Sequence, residues 1–235
     1  MTAPLSNINN YPASVLIIGA TGAIGIQILH QLSANPSNPA LHALVRDPKK
    51  IAAEDKPLYK SIICGNARDA ADIERALVKS EAETIVIAVG SGDDLSKSAN
   101  DIRHANAKAV ASVLQDNPQY QHICLVVISS NGAGPTKIKV GMGIGKAIAF
   151  HLRHVLRDHT YQEQTLQPLM DRTVILRPTA LTDKPSNGAK PFYFGDKEKP
   201  PTINISRADV AAVVAEEVCG GTSTGGKTFN LTNAK

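Results

Sequence analysis

A chain of 235 residues can bury a sizeable core, and one large α/β domain is the natural expectation for that length. With 43% hydrophobic and 20% charged residues the composition excludes disorder and fibrous repeats, and a net charge of +4 falls far short of a dedicated nucleic-acid binder. Three scattered cysteines, Cys64, Cys124 and Cys219, lack metal-ligand spacing and argue for a reducing compartment.

Residues 1–13, ending in "NINNYPA", read as a polar tail without the basic flank and apolar core of a secretion signal. No run approaches the roughly 20 apolar residues of a bilayer span. The expectation is a soluble, cytoplasmic protein with a small-molecule substrate and neither a nucleic-acid nor a membrane partner. Strand-like runs then alternate with helix-like segments: "SVLIIGA", a helix over about Ala23–Ser33, "ALHALVR", "YKSIIC" and a helix around Asp69–Ser80. "ETIVIAV" follows, then a long helix near Ala99–Gln115, "HICLVVISS", a second long helix near Gly145–Leu166, and "RTVILRP". Val- and Ile-rich strands separated by helices of this length indicate βαβ units and a parallel sheet covered on both faces. Residues 182–201, "TDKPSNGAKPFYFGDKEKPP", break the rhythm with four prolines and four lysines. "TINISRADVAAVVAEEV" then reads as a short strand entering a capped helix, and "KTFNLTN" as a last strand.

The first strand runs into "GATGAIG", with Gly19, Gly22 and Gly25 at the opening of a helix. A helix N-terminus presents unpaired N–H groups and partial positive charge, and glycines there allow a tight turn and close approach of a diphosphate. Strand before and helix after is the context that favours a dinucleotide site over a tight structural turn. Gly19, Thr21, Gly22, Ala23 and Ile24 are therefore expected at the cofactor. The chain divides into a tail (1–13), a Rossmann core (14–180) and a substrate-side insert with the C-terminal helix and last strand (181–235), all within one NAD(P)-binding domain. The fold expected is a doubly wound parallel sheet with a small C-terminal substrate-binding part.

After the second strand stands Arg46. An acid there would bond the ribose 2′-hydroxyl of NAD, whereas an arginine pairs with the 2′-phosphate of NADP. Asp47, one position later and before Pro48, reads as a turn cap. NADP(H) is the cofactor expected.

The glycine spacing resembles the short-chain dehydrogenase/reductase superfamily, especially its atypical members. "LVRDP", "ISS", "ILRP" and "ISRADVA" add to this, and the set resembles NmrA-like proteins and flavin/biliverdin reductase-like NAD(P)H-binding proteins over about residues 14–232. The resemblance implies that Asn66 and Ala67, in "CGNARD", lie by the adenine, with Asn66 where relatives often carry an aspartate. It places Ala88, Val89 and Gly90 under the ribose and diphosphate, and Ser129 at the cofactor.

Standard short-chain reductases use a Tyr-x-x-x-Lys pair. Among five tyrosines, Tyr193 alone has a lysine at +4, Lys197, in the proline-rich insert where the family does not place its pair. One register puts Met142 and Lys146 at the two positions. A second, counted back from "ILRP", puts Val155 and His159 there and suits the adjacent Asp158–His159. Neither register contains a tyrosine. Ser130 and His159 are the catalytic residues the family register implies, against a reading of His159 as a surface histidine. Residues i and i+2 of a helix diverge, so His159 and Tyr161 cannot both face the cofactor. A conjugated acceptor such as a flavin, quinone or enone suits a site without the tyrosine, because charge spreads over the acceptor and water or a histidine supplies the proton.

The stretch Lys137–Arg157 carries Lys137, Lys139, Lys146, Arg153 and Arg157 and no acid. It reads as a solvated helix face after a glycine-rich loop, or as an attractor of anions. "PFYF" suits either a pocket wall or a hairpin on the sheet edge. Together these features point to an NADP(H)-dependent reductase of a small conjugated or aromatic acceptor. The alternatives are a non-catalytic, NADP-binding redox sensor of NmrA type and an isomerase or cyclase on the same fold.

Overall fold

Residues Ser14–Ile18 are all buried, and their side chains divide by parity. Val15 and Ile17 join one apolar cluster while Leu16 and Ile18 join another, as a strand covered on both faces requires. The computed structural model describes residues 12–90, 101–139, 144–186, 192–196, 198–220 and 225–233. In it β1 (Ser14–Ile18) is followed by α1 (Ala23–Ser33), β2 (Ala40–Val45), β3 (Ser61–Cys64), α2 (Ala70–Ser80) and β4 (Thr84–Ile87). Next come α3 (Ile102–Asp116), β5 (Cys124–Ile128), α4 (Ile144–His151), α5 (Arg153–Leu166) and β6 (Thr173–Pro178). The chain continues through β7 (Ala180–Thr182), β8 (Phe192–Phe194), β9 (Asn204–Ser206), α6 (Arg207–Cys219) and β10 (Lys227–Thr232).

Eight strands form one sheet in the order β3-β2-β1-β4-β5-β6-β10-β8. Every neighbouring pair is parallel except β10 and β8. The chain winds outward in both directions from the adjacent β1 and β4, so a crevice opens at the carboxyl ends of these two strands. This is the doubly wound Rossmann architecture. Helices α1 and α6 pack together on one face, and α2, α3 and α5 cover the other. The pair β7 and β9 forms a small parallel sheet of its own, reached from β6 through Thr179.

Local chemistry sets the helix starts. Asp69 caps α2 by accepting from Ala71 N–H (2.9 Å), and Ser206 caps α6 by accepting from Asp209 N–H (3.0 Å). Asp209 itself accepts from Ser186 Oγ and Asn233 Nδ2, which ties the C-terminal strand to the helix start.

One expectation is revised, and one open alternative is decided. The long helix over 145–166 is two helices, because the backbone turns at Leu152, where ψ is 7°. The 181–235 segment contributes β10 to the main sheet and α6 to its covering layer, so it shares the core of the domain. The described part of "PFYF" is an edge strand: β8 lies antiparallel on β10, with Phe194 buried and Tyr193 set edge-on to Phe229. Being in a strand, Tyr193 cannot form a one-turn pair with residue 197, which lies outside the described residues, as does Met142. Among the described residues no helix is long and apolar enough to cross a membrane.

Candidate cofactor and substrate site

The turn between β1 and α1 uses its glycines for three different reasons. Gly19 has φ +95°, and a Cβ there would stand 2.5 Å from the Ala88 carbonyl oxygen on β4's extension. At Gly25 a Cβ would stand 2.3 Å from the Gly19 carbonyl, so the first turn of α1 rests directly on the loop. Gly22 is extended (φ −80°, ψ 156°), and a Cβ there would meet only the Gly19 oxygen, at 3.3 Å. As N-cap it supplies no side-chain acceptor, and the first turn holds no acid. Thr21, Gly22 and Ala23 are exposed. The helix start is thus open to an anion, which is the fit a dinucleotide diphosphate requires.

Arg46 follows β2 and is exposed, and no described acid forms an ion pair with it. Asp47 caps a short turn, its Oδ1 accepting from Lys49 N–H (3.0 Å). At the end of β3, Asn66 Oδ1 accepts from Arg68 N–H (3.1 Å), which leaves its amide NH2 for an adenine edge. The Ala67 carbonyl accepts from Asn106 Nδ2 (2.7 Å), which fixes this loop to α3.

A cavity of about 440 Å³ opens at the carboxyl ends of the strands. Ile24 from the glycine turn and Ala88, Val89 and Gly90 from the end of β4 line one part of it. Ser129, Ser130, Val155 and His159 line it too. Expected cofactor positions and expected catalytic positions therefore meet in one space. Val155 and His159 are one helical turn apart on α5, and this register, counted back from "ILRP", faces the cavity. In that register Val155 occupies the position that the resemblance gives to a tyrosine. Tyr161 is absent from the lining and stacks on His104 at 5.1 Å, in keeping with its divergence from His159.

The two serines differ. Ser129 is buried, and its hydroxyl donates to Glu163 Oε1 at 2.5 Å, so its proton is committed within the protein. Ser130 is half-buried, and its hydroxyl contacts only the Asn131 carbonyl, at 3.2 Å. It can turn to an acceptor's oxygen.

His159 is a buried residue, 6% exposed, rather than a surface histidine. Burial, with Arg103 beside it, holds its pKa well below the ordinary 6.5. Gln162, three residues on, pulls the other way, yet His159 Nδ1 and both Gln162 amide atoms lie outside hydrogen-bonding geometry with any described group. At neutral pH the ring is uncharged, so it offers a hydrogen bond and not an imidazolium proton.

The sign of the linkage follows. The unfolded histidine takes up a proton near 6.5 and the folded one does not, so its contribution to stability is complete above that pH and is lost as pH falls through and below it. His42, buried between β2 and β3, is lowered by burial and by Lys60 and Lys79, and adds in the same direction. The urea midpoint should therefore fall between pH 7.5 and pH 5, and His159→Gln should flatten part of that slope. An unchanged slope in the variant would show that His159 titrates alike folded and unfolded.

Several site residues had no signal of their own in the sequence. Arg103, at the start of α3, lines the cavity beside Gly90 and is paired with Asp158 (Nη1–Oδ2 3.2 Å). Asp158 also accepts from the Arg103 and His104 N–H groups (3.2 and 3.0 Å), so it caps α3 from α5. Lys139 and Arg207 line the cavity as well, whereas Lys146, Arg153 and Arg157 are exposed. The glycine-rich loop between Lys139 and Ile144 lies outside the described residues.

A family model described as NAD(P)H-binding matches residues 19–218. A hybrid PKS-NRPS synthetase from Penicillium oxalicum is 33% identical over 125 residues, which is 50% of this chain and 3% of the synthetase. The chain thus spans only 3% of the length of that relative. Among solved structures, a wide-type short-chain dehydrogenase/reductase from Veillonella parvula in complex with NADP aligns with a TM-score of 0.72 at 14% identity, over 94% of this chain and 95% of that one. ChuY from Escherichia coli O157:H7, named an anaerobillin reductase, aligns with a TM-score of 0.70 at 20% identity, over 94% and 97%. An oxidoreductase from Lactococcus lactis aligns with 0.70 at 18%, over 94% and 91%. At these identities the structural likeness is one of fold.

Proposed function

Because the chain belongs to the NAD(P)H-binding family, we propose that it is an NADP(H)-dependent reductase of the atypical short-chain type, acting on a small conjugated or aromatic acceptor such as a flavin, quinone or enone. The observation that carries this reading is the shared cavity, where Ile24 and Ala88–Gly90 face the same space as Ser130, Val155 and His159. A bound nicotinamide would supply the hydride. The open start of α1 would hold its diphosphate, and Arg46 the 2′-phosphate. Ile128, Ile148, Leu152 and Val155 give an apolar wall for a flat acceptor and keep water off its face. Ser130 would donate a hydrogen bond to an acceptor oxygen as charge develops there. With Val155 in the tyrosine's place and His159 neutral, the proton that completes the reduction comes from solvent.

Fluorescence titration with NADPH and NADH, followed by NADPH oxidation with flavin and quinone acceptors, tests the reading. Tight NADPH binding with no oxidation by any acceptor would favour the second reading, a non-catalytic NADP-binding redox sensor, for which Val155 is the supporting observation. Arg46→Ala should weaken NADPH by about tenfold and leave NADH nearly unchanged, as loss of one charge-assisted contact of about 1.5 kcal/mol predicts. Equal loss for both cofactors would refute the 2′-phosphate role.

A further inference from the structure

Three cations line the cavity, Arg103, Lys139 and Arg207, and no carboxylate is among its described lining residues. Their places differ. Arg103 stands by Gly90, with Nη2 3.6 Å from where a Cβ on that residue would lie, and Asp158 holds it there. It belongs to the cofactor end. Arg207 is the first residue of α6, directly after β9, and lines the cavity together with Leu181, Pro200 and Ile203. Its ion-pair partner is Asp183, at 2.6 Å. That carboxylate sits just past β7 on a side chain 83% exposed, while the Arg207 side chain is half-buried, 24% exposed.

An ion pair with one arm in solvent is held weakly. A guanidinium also presents paired N–H donors that suit a carboxylate or phosphate better than a single oxygen contact does. Asp183 is therefore an exchangeable anion on a fixed cation. A ligand anion arriving from the cavity would replace it without leaving either charge buried and unmatched, since the displaced carboxylate returns to water.

We infer that the acceptor carries an anionic group, a carboxylate or a phosphate, that seats on Arg207 in place of Asp183, with Lys139 adding positive charge and the ligand's apolar body lying on Leu181, Pro200 and Ile203. This rests on the reductase reading above and narrows its substrate class. It also gives the cationic lining a purpose separate from the cofactor's phosphates.

Three flavins with one redox core make the test: riboflavin, which is neutral; FMN, which bears a phosphate; and 7,8-dimethyl-10-carboxymethylisoalloxazine, which bears a carboxylate. Two readouts are taken on the full chain, kcat/KM with NADPH and the dissociation constant by equilibrium dialysis against the NADP+-loaded protein. At least one anionic flavin should exceed riboflavin by about tenfold, the value of one charge-assisted contact, and the better of the two identifies the anion. Arg207→Gln should bring the ratio to about one, Arg207→Lys should keep part of it, and Asp183→Asn should raise it by about threefold by removing the competitor. The ratio is read, not the absolute rate, so a loss of folded protein does not mimic the result. Anionic flavins that bind no better than riboflavin, or an advantage that survives Arg207→Gln, would overturn the inference. If neither flavins nor quinones oxidise NADPH, the reductase reading fails, while the dialysis ratio still decides whether Arg207 selects an anion.

Discussion

Gly25→Ala should cost about 1–3 kcal/mol of stability, as forced overpacking does, and should weaken NADPH binding by about a hundredfold or more. The methyl group would stand 2.3 Å from the Gly19 carbonyl and 3.0 Å from Ala20 Cα, both backbone atoms that no rotamer change can move. Relief requires α1 to lift off the turn. Its leading N–H groups then no longer converge on the diphosphate, and losing two charge-assisted bonds of about 1.5 kcal/mol each amounts to about a hundredfold in affinity. Gly19→Ala should behave alike, with the added strain of φ +95°. Gly22→Ala is the control that separates fold from ligand. Its backbone is ordinary and its nearest obstacle, the Gly19 oxygen, is 3.3 Å away and needs to give only slightly, so the apo protein should melt much nearer the wild type than Gly25→Ala. Its methyl group would nonetheless stand on the face the diphosphate approaches, and NADPH binding should suffer. Thermal midpoints without cofactor, set beside NADPH titrations, read both effects. If Gly25→Ala melted with Gly22→Ala and bound NADPH normally, the contact between helix and loop would be unimportant.

The glycines were legible because backbone demands are local. The same holds for α1, expected over Ala23–Ser33 and found there, and for the five parallel runs whose Val and Ile content marks strands buried on both faces. The register counted back from "ILRP", which rests on the family resemblance, led to Val155 and His159, and both line the cavity. What escaped depends on partners far away in the chain. The bend at Leu152 leaves no proline or glycine as a sign. "PFYF" is equally apolar on a pocket wall and on a sheet edge, and only the pairing of β8 with β10 decides. Asp158, read beside His159 as a possible site pair, instead reaches across 55 positions to cap α3. One sign did stand in plain view. Arg177 occupies "TVILRP", an otherwise apolar run, and a cation buried there demands a buried acid.

Glu163 is that acid, and Glu163→Ala should destabilise the protein by about 3–5 kcal/mol, the usual cost of leaving one member of a buried pair uncompensated. Its carboxylate accepts from Arg177 Nε (2.9 Å), from Arg177 Nη2 (2.7 Å) and from Ser129 Oγ (2.5 Å), and all three residues are buried. Arg177 reaches on to Asp196 (3.3 Å), which also accepts from Asn230 Nδ2 (2.8 Å). One ion pair therefore ties α5 to the ends of β5 and β6 and to β10. Gly134→Ala should injure the same pair from outside, because its Cβ would come within 2.6 Å of Glu163 Oε2 and 2.7 Å of Arg177 Nη2. The double variant Glu163→Leu/Arg177→Met separates two roles. Removing both charges together should recover much of the stability, since an apolar pair of similar volume is often no worse than a buried salt bridge. It should not recover acceptor turnover. Ser129 would lose the acceptor that joins the end of β5 to α5, and with it the placement of the neighbouring Ser130 at the cavity. Urea midpoints and kcat for a flavin or quinone, measured on the single and double variants, distinguish the outcomes. Recovery of both would mean that the network serves the fold alone; recovery of stability without turnover would mean that it holds Ser130 to the site.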